Sequence, residues 1–196
     1  MKHTVIAFLT LCGLAAAASF EVAPRPGAQL ALTVEKTGLY HGKKHLFLFE
    51  KYRGTLVFSA QKPEESKIEL TIDSRSAVCK DDWVGSGDLK KIMETTFEDM
   101  LAVKQFPTMT FVSSSIRPIG ANQFEAQGTL TIRNTPKPVT VNVQLDATDR
   151  AKLRLRGGAK IHLKDYGLKP PSALLGAIGT KEEMSLAFEI AASSKD

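Results

Sequence analysis

Cysteine is scarce in this chain, which contains only Cys12 and Cys79. Cys12 lies in an N-terminal segment that we expect to be removed, and Cys79 would then have no partner for an internal disulfide. The folded protein must therefore be stabilised by its apolar core rather than by covalent cross-links. We interpret Cys79 as a small half-buried residue beside a loop, with a reactive thiol as the alternative.

The excess of positive charge is also slight. The sequence has 26 Lys and Arg against 21 Asp and Glu, a formal net charge of +5, and the cations are scattered along the chain. Proteins that bind nucleic acid through its phosphates need clustered cations. The composition therefore gives no support to a nucleic-acid partner.

The short motifs that mark common enzymes are missing. The sequence has no Gly-x-Ser-x-Gly elbow, Walker-type phosphate loop, His-Glu-x-x-His or Cys-x-x-Cys. His41 and His45 are four residues apart, but Gly42 and the following "LFLF" indicate a turn into a strand, where the two rings would lie about 13 Å apart. We interpret Asp81 and Asp82 as a solvated turn. We therefore predict no metal site and no catalytic residues, and joined to a closed apolar barrel this absence would favour binding over catalysis.

The N-terminus has the layout of a secretory signal. Lys2 precedes an apolar run from Val5 to Leu14, and small residues around Ala16 to Ala18 offer a cleavage site. The run is too short to span a bilayer, and Leu11 before Cys12 disfavours a lipoprotein. We predict a signal peptide over residues 1–18, a single domain over 19–196 without a transmembrane segment, and a periplasmic location, with secretion beyond it as the alternative.

Alternation of apolar and polar residues dominates the rest of the chain. Eight segments place their apolar side chains on one face, as half-buried strands do. They are 30–36, 54–60, 67–73, 108–116, 124–133, 138–146, 152–163 and 184–191.

Eight such strands joined by turn-like stretches are typical of an antiparallel meander. A meander hides one apolar face per strand by closing into a barrel, whose interior is filled by side chains or holds one slender ligand. We therefore predict a mainly β protein with an eight-stranded antiparallel barrel, and a two-sheet sandwich as the alternative.

Two segments break the alternation. Apolar residues recur at three- and four-residue steps over about 86–103, which predicts a short helical insert that begins with Ser86 or Asp88 as its cap. Thr95-Thr96 is a point at which it could split, and the insert would either close one end of the barrel or pack outside it. The segment Lys164 to Glu183 is long, rich in Gly and Pro and yet apolar, which suggests a lid or rim.

Several motifs occur in an order that resembles the YceI-like family of exported lipid-binding proteins. After the helical segment, "FPTMTFVSS" is followed by "GTLTIRNTPKPV" and then by the corner "KDYG", while "TVEKTGLYHGKKHLF" is similar to the family's opening strand. The resemblance covers nearly the whole chain after the leader. Asn134 stands where many members carry a glycine, and Leu163-Lys164 where an arginine commonly opens the corner. The helical insert also lacks the clear "rD-x-hL" string that is found in much of the family.

The resemblance implies a lipocalin-like extended barrel whose bore takes an isoprenoid or other long-chain lipid tail, with no other cofactor. The inward-facing rows of the predicted strands would line that bore, with Leu56, Phe58, Ile68, Leu70, Phe111, Phe124, Leu130, Ile132, Val141, Val143, Ile161, Leu186 and Phe188 as the expected lining. As a hypothesis, a phosphate or quinone head group would lie at the barrel mouth among His41, Lys43, Lys44, His45, Lys164 and Tyr166, with solvated surface cations as the alternative.

The sequence thus predicts a non-enzymatic, exported lipid-binding protein for carriage, storage or stress protection. One alternative is an enzyme that acts on such a lipid inside the same barrel. Another is an interaction module whose core is filled by its own side chains. The sequence leaves a homodimer open.

Overall fold

The computed structural model describes residues 17–195, and the alternating segments form strands there. Of the predicted leader, residues 1–16 lie outside the described part. The twelve strands of residues 17–195 are Ala18–Ala23 (β1), Gln29–Gly38 (β2), Lys44–Phe49 (β3), Tyr52–Phe58 (β4), Lys67–Asp73 (β5), Ala77–Cys79 (β6), Thr108–Gly120 (β7), Gln123–Ile132 (β8), Thr135–Asp149 (β9), Lys152–His162 (β10), Ser172–Ala173 (β11) and Ile178–Ser194 (β12).

The strands form a closed ring in which every long strand pairs on both sides. The order is β1-β4-β5-β7-β8-β9-β10-β12, and β12 returns to pair with β1. Beyond β1, the same edge of β12 pairs with β2, which continues to β3 and β6. The strands β1 and β2, β3 and β4, and β5 and β6 therefore each share one position in the ring. The predicted eight-stranded antiparallel barrel is confirmed.

At each of these three positions the strand is interrupted, and two of the interruptions have a visible local cause. Between β1 and β2 the chain contains Pro24 and Pro26, which have no N–H for a ladder, and Gly27 with a φ of 81°. The breaks after β3 and after β5 face each other, and here side chains replace ladder bonds. Ser76 Oγ accepts from Lys51 N at 3.0 Å, and the Asp73 carboxylate accepts from Arg75 N at 3.0 Å. The sheet therefore bends at this level without losing its hydrogen bonds.

The predicted helical insert is present and shorter than expected. An α-helix, α1, spans Ser86–Thr95, and a π-helical turn follows at Thr96–Met100, so the predicted split at Thr95-Thr96 is confirmed. Thr96 Oγ1 donates to Ile92 O at 2.7 Å at this split. The predicted cap is wrong: Gly85 occupies the cap position and no side chain caps the helix. Within residues 17–195, no helix is long and apolar enough to cross a membrane.

Gly157 is required by close packing inside the barrel. A Cβ at this position would overlap the carbonyl oxygen of Asn142 and lie 2.8 Å from Cζ of Phe188. We predict that Gly157→Ala lowers the free energy of unfolding by about 1–3 kcal/mol, because either the β9–β10 ladder or the aromatic ring must move. Urea denaturation measures the change.

Gly87 provides the matched control, because a Cβ there meets nothing within 4 Å. Gly87 lies in α1, where replacing glycine by alanine gains up to about 1 kcal/mol. Equal stabilities of the Gly157→Ala and Gly87→Ala proteins would show that the barrel wall yields at Gly157.

Candidate ligand cavity

The barrel encloses one large cavity of about 700 Å³, which lies within the range of about 300–1,000 Å³ that is typical of ligand pockets. Side chains from all eight positions of the ring line it. All thirteen side chains that the sequence predicted as lining face this cavity. Whether they contact a ligand stays a prediction.

The exposure of the inward aromatic rings shows that the interior is hollow. Phe58, Phe111, Phe124 and Phe188 point inward and yet are only half-buried. Their remaining surface belongs to the cavity, since a filled core would have covered it. Phe58 and Phe124 meet edge to face with ring centroids 6.3 Å apart, so the rings support each other along the wall.

One part of the interior is filled. Phe20, Val22, Leu153 and Ala192 are each at most 3% exposed and do not line the cavity. Ala192 pairs with both Val22 and Leu153. These four side chains therefore form a solid core where β12 closes onto β1, while the rest of the bore stays open.

The sequence missed several lining residues of the N-terminal strands. The alternation places Leu30, Leu32 and Val34 on one face of a strand, but the expected lining does not include them. Phe47 and Phe49 also line the cavity, and they lie in an apolar run without alternation. In β3 the inward residues are buried, while Leu46 is 37% exposed on the other face. In β3, every second residue faces inward, and because both faces are apolar the alternation of polarity does not show which face that is.

Both irregular segments lie at one end of the cavity. Ile92, Thr95 and Met100 of the helical insert line it, as do residues of the segment 168–174. This segment is shorter than predicted because β12 already begins at Ile178. We define the mouth as the end of the cavity lined by these two segments together with Lys36, Tyr40, His45 and Trp83.

Of the six residues predicted at the mouth, only His45 lines the cavity. His41, Lys43 and Lys44 are exposed in and after the β2–β3 turn. The Lys164 ammonium lies 3.5 Å from the Glu182 carboxylate. Tyr166 is buried, and this burial raises its pKa to about 12. A head-group role for these five residues has no geometric support from the cavity.

His45 is held in a fixed orientation by three neighbours. Its Nδ1 lies 2.5 Å from Oδ2 of Asp81, whose Oδ1 accepts from Leu46 N at 2.9 Å. The Trp83 ring stacks on the imidazole with centroids 5.3 Å apart, and Trp83 Nε1 donates to Lys44 O. The interpretation of Asp81 as a solvated residue is wrong, because its side chain is 1% exposed. Asp82 is exposed as predicted.

Cys79 lies beside this pair and is buried rather than half-buried. Burial is the main cause that raises the pKa of its thiol to about 11. One ligand atom each from His45, Cys79 and Asp81 lie within 4.8 Å of one another, a set that a divalent transition metal could use. The prediction of no metal site considered only His41 with His45. As the side chains stand, the short Nδ1–Oδ2 distance is that of a hydrogen bond.

The fold and the cavity together define a β-barrel protein with a large, mostly apolar internal cavity. The YceI-like domain matches residues 20–192, and the chain belongs to the YceI-like family.

The relatives are distant in sequence. A UPF0312 protein of Azotobacter vinelandii is 28% identical over 126 residues, which cover 62% of this chain and 62% of that protein. A UPF0312 protein of Pseudomonas savastanoi pv. phaseolicola is 23% identical over 146 residues, which cover 72% and 70%. The chain thus spans about 62% of the length of the first of these relatives.

Solved structures share the fold. BcnA of Burkholderia cenocepacia superposes with a TM-score of 0.68 at 20% identity, over 86% of this chain and 98% of that one. A polyisoprenoid binding domain from Saccharophagus degradans superposes with a TM-score of 0.62 at 11% identity, over 89% and 98%. At these identities the likeness establishes the barrel architecture.

The buried Asp81 acceptor should matter to stability. We predict that Asp81→Ala lowers the free energy of unfolding by about 3 kcal/mol, because the buried His45 ring loses its acceptor and the Leu46 N–H loses one as well. The neighbouring, exposed Asp82→Ala should change it by less than about 0.5 kcal/mol. Urea denaturation of both variants measures the difference. A change in Asp81→Ala as small as that expected for Asp82→Ala would mean that the His45–Asp81 pair adds no net stability.

Proposed function

We propose that the protein is an exported, non-enzymatic lipid-binding protein that holds an isoprenoid or fatty tail in the bore of its barrel. The observation that carries this proposal is the apolar cavity of about 700 Å³ inside the ring of strands. A neighbour of the same fold is described as a polyisoprenoid binding domain, which supports the same class of ligand here. Carriage, storage and protection of such a lipid all require this binding step.

The energetics of tail burial are sufficient without strong polar contacts. Each methylene group moved out of water contributes about 0.8 kcal/mol. Ten such groups contribute about 8 kcal/mol before the cost of ordering the tail, which corresponds to roughly micromolar affinity. The row of lining residues in β12 runs from Ile178 to Ile190, about 40 Å along an extended strand. The cavity is thus long enough for a thread-like tail.

The ionisable groups around the cavity favour binding over catalysis. His45 and Asp81 resemble the base and orienting acid of a nucleophilic enzyme, and Cys79 is the nearest nucleophile type. However, Cys79 does not line the cavity, and the burial that raises its pKa to about 11 keeps the thiol protonated. Because the thiolate is the reactive form, this arrangement gives Cys79 no activation toward a lipid in the bore.

Export is supported by the composition of the N-terminus. Lys2, the apolar run over residues 5–14 and the small residues that follow have the order of a secretory signal. Delivery to the periplasm would place the barrel between two membranes, in an aqueous compartment where a lipid needs a carrier.

The binding proposal predicts a co-purified lipid. The protein, purified without detergent and extracted with organic solvent, should yield a long-chain lipid close to one molecule per barrel by mass spectrometry. Val143→Trp should reduce the amount at least tenfold, because Val143 is a half-buried lining residue and a larger side chain there fills the bore.

Val112→Trp is the control for bulk alone. Val112 lies on β7 and is 45% exposed on the outside of the barrel, so this variant should carry as much lipid as the unchanged protein. Circular dichroism checks that both variants fold. If the unchanged protein holds no lipid and takes up none from added fatty or isoprenoid compounds, the proposal is wrong.

The export proposal predicts a processed chain. When the full sequence is expressed in a Gram-negative bacterium, the protein should appear in the periplasmic fraction with an intact mass that shows cleavage near Ala18. A variant that lacks residues 5–14 should stay in the cytoplasm at full length. If the unchanged sequence also stays unprocessed in the cytoplasm, export is contradicted.

A further inference from the structure

Lys36 is an ionisable residue in an apolar row of the cavity wall. On β2, Leu30, Leu32 and Val34 face inward, and the two-residue period of a strand continues this row to Lys36. Lys36 lines the cavity at the mouth and is half-buried. The lysines that the sequence predicts at the head group, Lys43, Lys44 and Lys164, lie outside the cavity.

The Lys36 ammonium has no protein partner among residues 17–195. No carboxylate of this part of the chain pairs with it and its Nζ makes no side-chain hydrogen bond there, whereas the adjacent Glu35 pairs with Lys181 at 2.8 Å. Asp81 is close enough to favour its charge, yet loss of water is the larger effect, and the pKa of Lys36 is lowered. The ammonium has therefore lost more by leaving water than it gains from the Asp81 charge, and no anion pairs with it directly.

Asp81 acts on Lys36 through its charge, but no ion pair or hydrogen bond joins the two side chains. Oδ2 binds His45 Nδ1 and Oδ1 accepts from Leu46 N. His45 lies opposite Val34 in the β2–β3 ladder, which makes it the diagonal neighbour of Lys36 on the same face. The Trp83 ring stacked on His45 holds this arrangement in place. The Asp81 carboxylate thus hydrogen-bonds to His45 and to Leu46 N, and its charge acts on Lys36 only at longer range.

The other charged residues of the lining compensate each other. Asp88 and Lys91, both on α1, line the outer part of the mouth, and their side chains pair at 3.2 Å. Both are well exposed to solvent. Among the lining residues that the structure describes, Lys36 is therefore the charged residue that forms no ion pair.

We infer that Lys36 binds the oxyanion of an acidic lipid head group, a carboxylate or a phosphate, whose tail extends down the bore. This inference rests on the proposed function and specifies its ligand class. The head group would pair with the Lys36 ammonium, and the tail would contact the apolar wall beyond Val34. A charge-assisted hydrogen bond of this kind is shorter and stronger than a neutral one.

Ligands with the same tail and different heads test the inference. Palmitic acid, cetyl phosphate and cetyl alcohol would each displace the neutral fluorescent probe N-phenylnaphthylamine from the full-length protein at neutral pH. We expect at least one of the two acidic ligands to bind about tenfold more tightly than the alcohol, as a charged hydrogen bond predicts. Comparison of the two acids distinguishes a carboxylate from a phosphate head.

Lys36→Met keeps most of the apolar stem and removes the charge. It should abolish the preference for the acid and leave the affinity for cetyl alcohol unchanged. Lys91→Met, at the same mouth, should keep the preference, and so should Lys36→Arg, which retains the charge. Lys36→Gln is a second neutral variant, should Lys36→Met fail to fold.

The outcomes separate the inference from the proposed function. Equal binding of acids and alcohol by the unchanged protein, or an unchanged preference in the Lys36→Met protein, would overturn the inference while tail binding stands. Failure of all three ligands to displace the probe would overturn the proposed function, and the inference with it.

Discussion

The closure of the sheet along β12 is the constraint on which the rest of the structure depends. β12 pairs along one edge with β10 and along the other with β2 and then β1. An open sheet of this length would expose a row of unpaired backbone groups, and its apolar face would need a second layer. Closure satisfies the backbone and turns that face inward. The bore is the direct consequence, because a ring of eight strands leaves an interior as wide as its lining side chains permit.

The side chains of this ring leave its interior incompletely filled. Where β12 meets β1, Val22, Leu153 and Ala192 pack to full burial. Elsewhere the inward residues include rings that stay half-buried, such as Phe111 and Phe188. Protein interiors are otherwise packed as densely as organic crystals, so unfilled apolar space of about 700 Å³ forfeits contacts that a core would normally make. A tail in the bore would restore those contacts, and this links ligand binding to stability.

The sequence was informative wherever polarity alternates. All eight alternating segments became strands with the predicted face inward, since a slip by one residue would have exposed a whole apolar row. The pattern failed at β3, because "LFLF" has no polar member to mark its outer face. It also could not reveal the His45–Asp81 pair, whose members are 36 positions apart in sequence and meet only through the β3–β6 ladder. Lys36 was accessible in principle, as the next inward position after Val34, but its charge made it look like the end of the row.

The two ionisable groups on the inner wall, His45 and Lys36, illustrate how structural and functional polarity can be distinguished. Burying a polar group costs free energy unless it is hydrogen-bonded. For His45 the protein offsets that cost itself, because the Asp81 carboxylate hydrogen-bonds to the ring and Trp83 stacks on it. This is the usual arrangement of a buried polar side chain with a structural role. For Lys36 the protein does so only in part, because the Asp81 charge acts on the ammonium without an ion pair or hydrogen bond. A charge that is half-buried at the mouth of an apolar bore and has no direct partner costs the empty protein free energy, and on our inference a ligand of opposite charge would offset that cost.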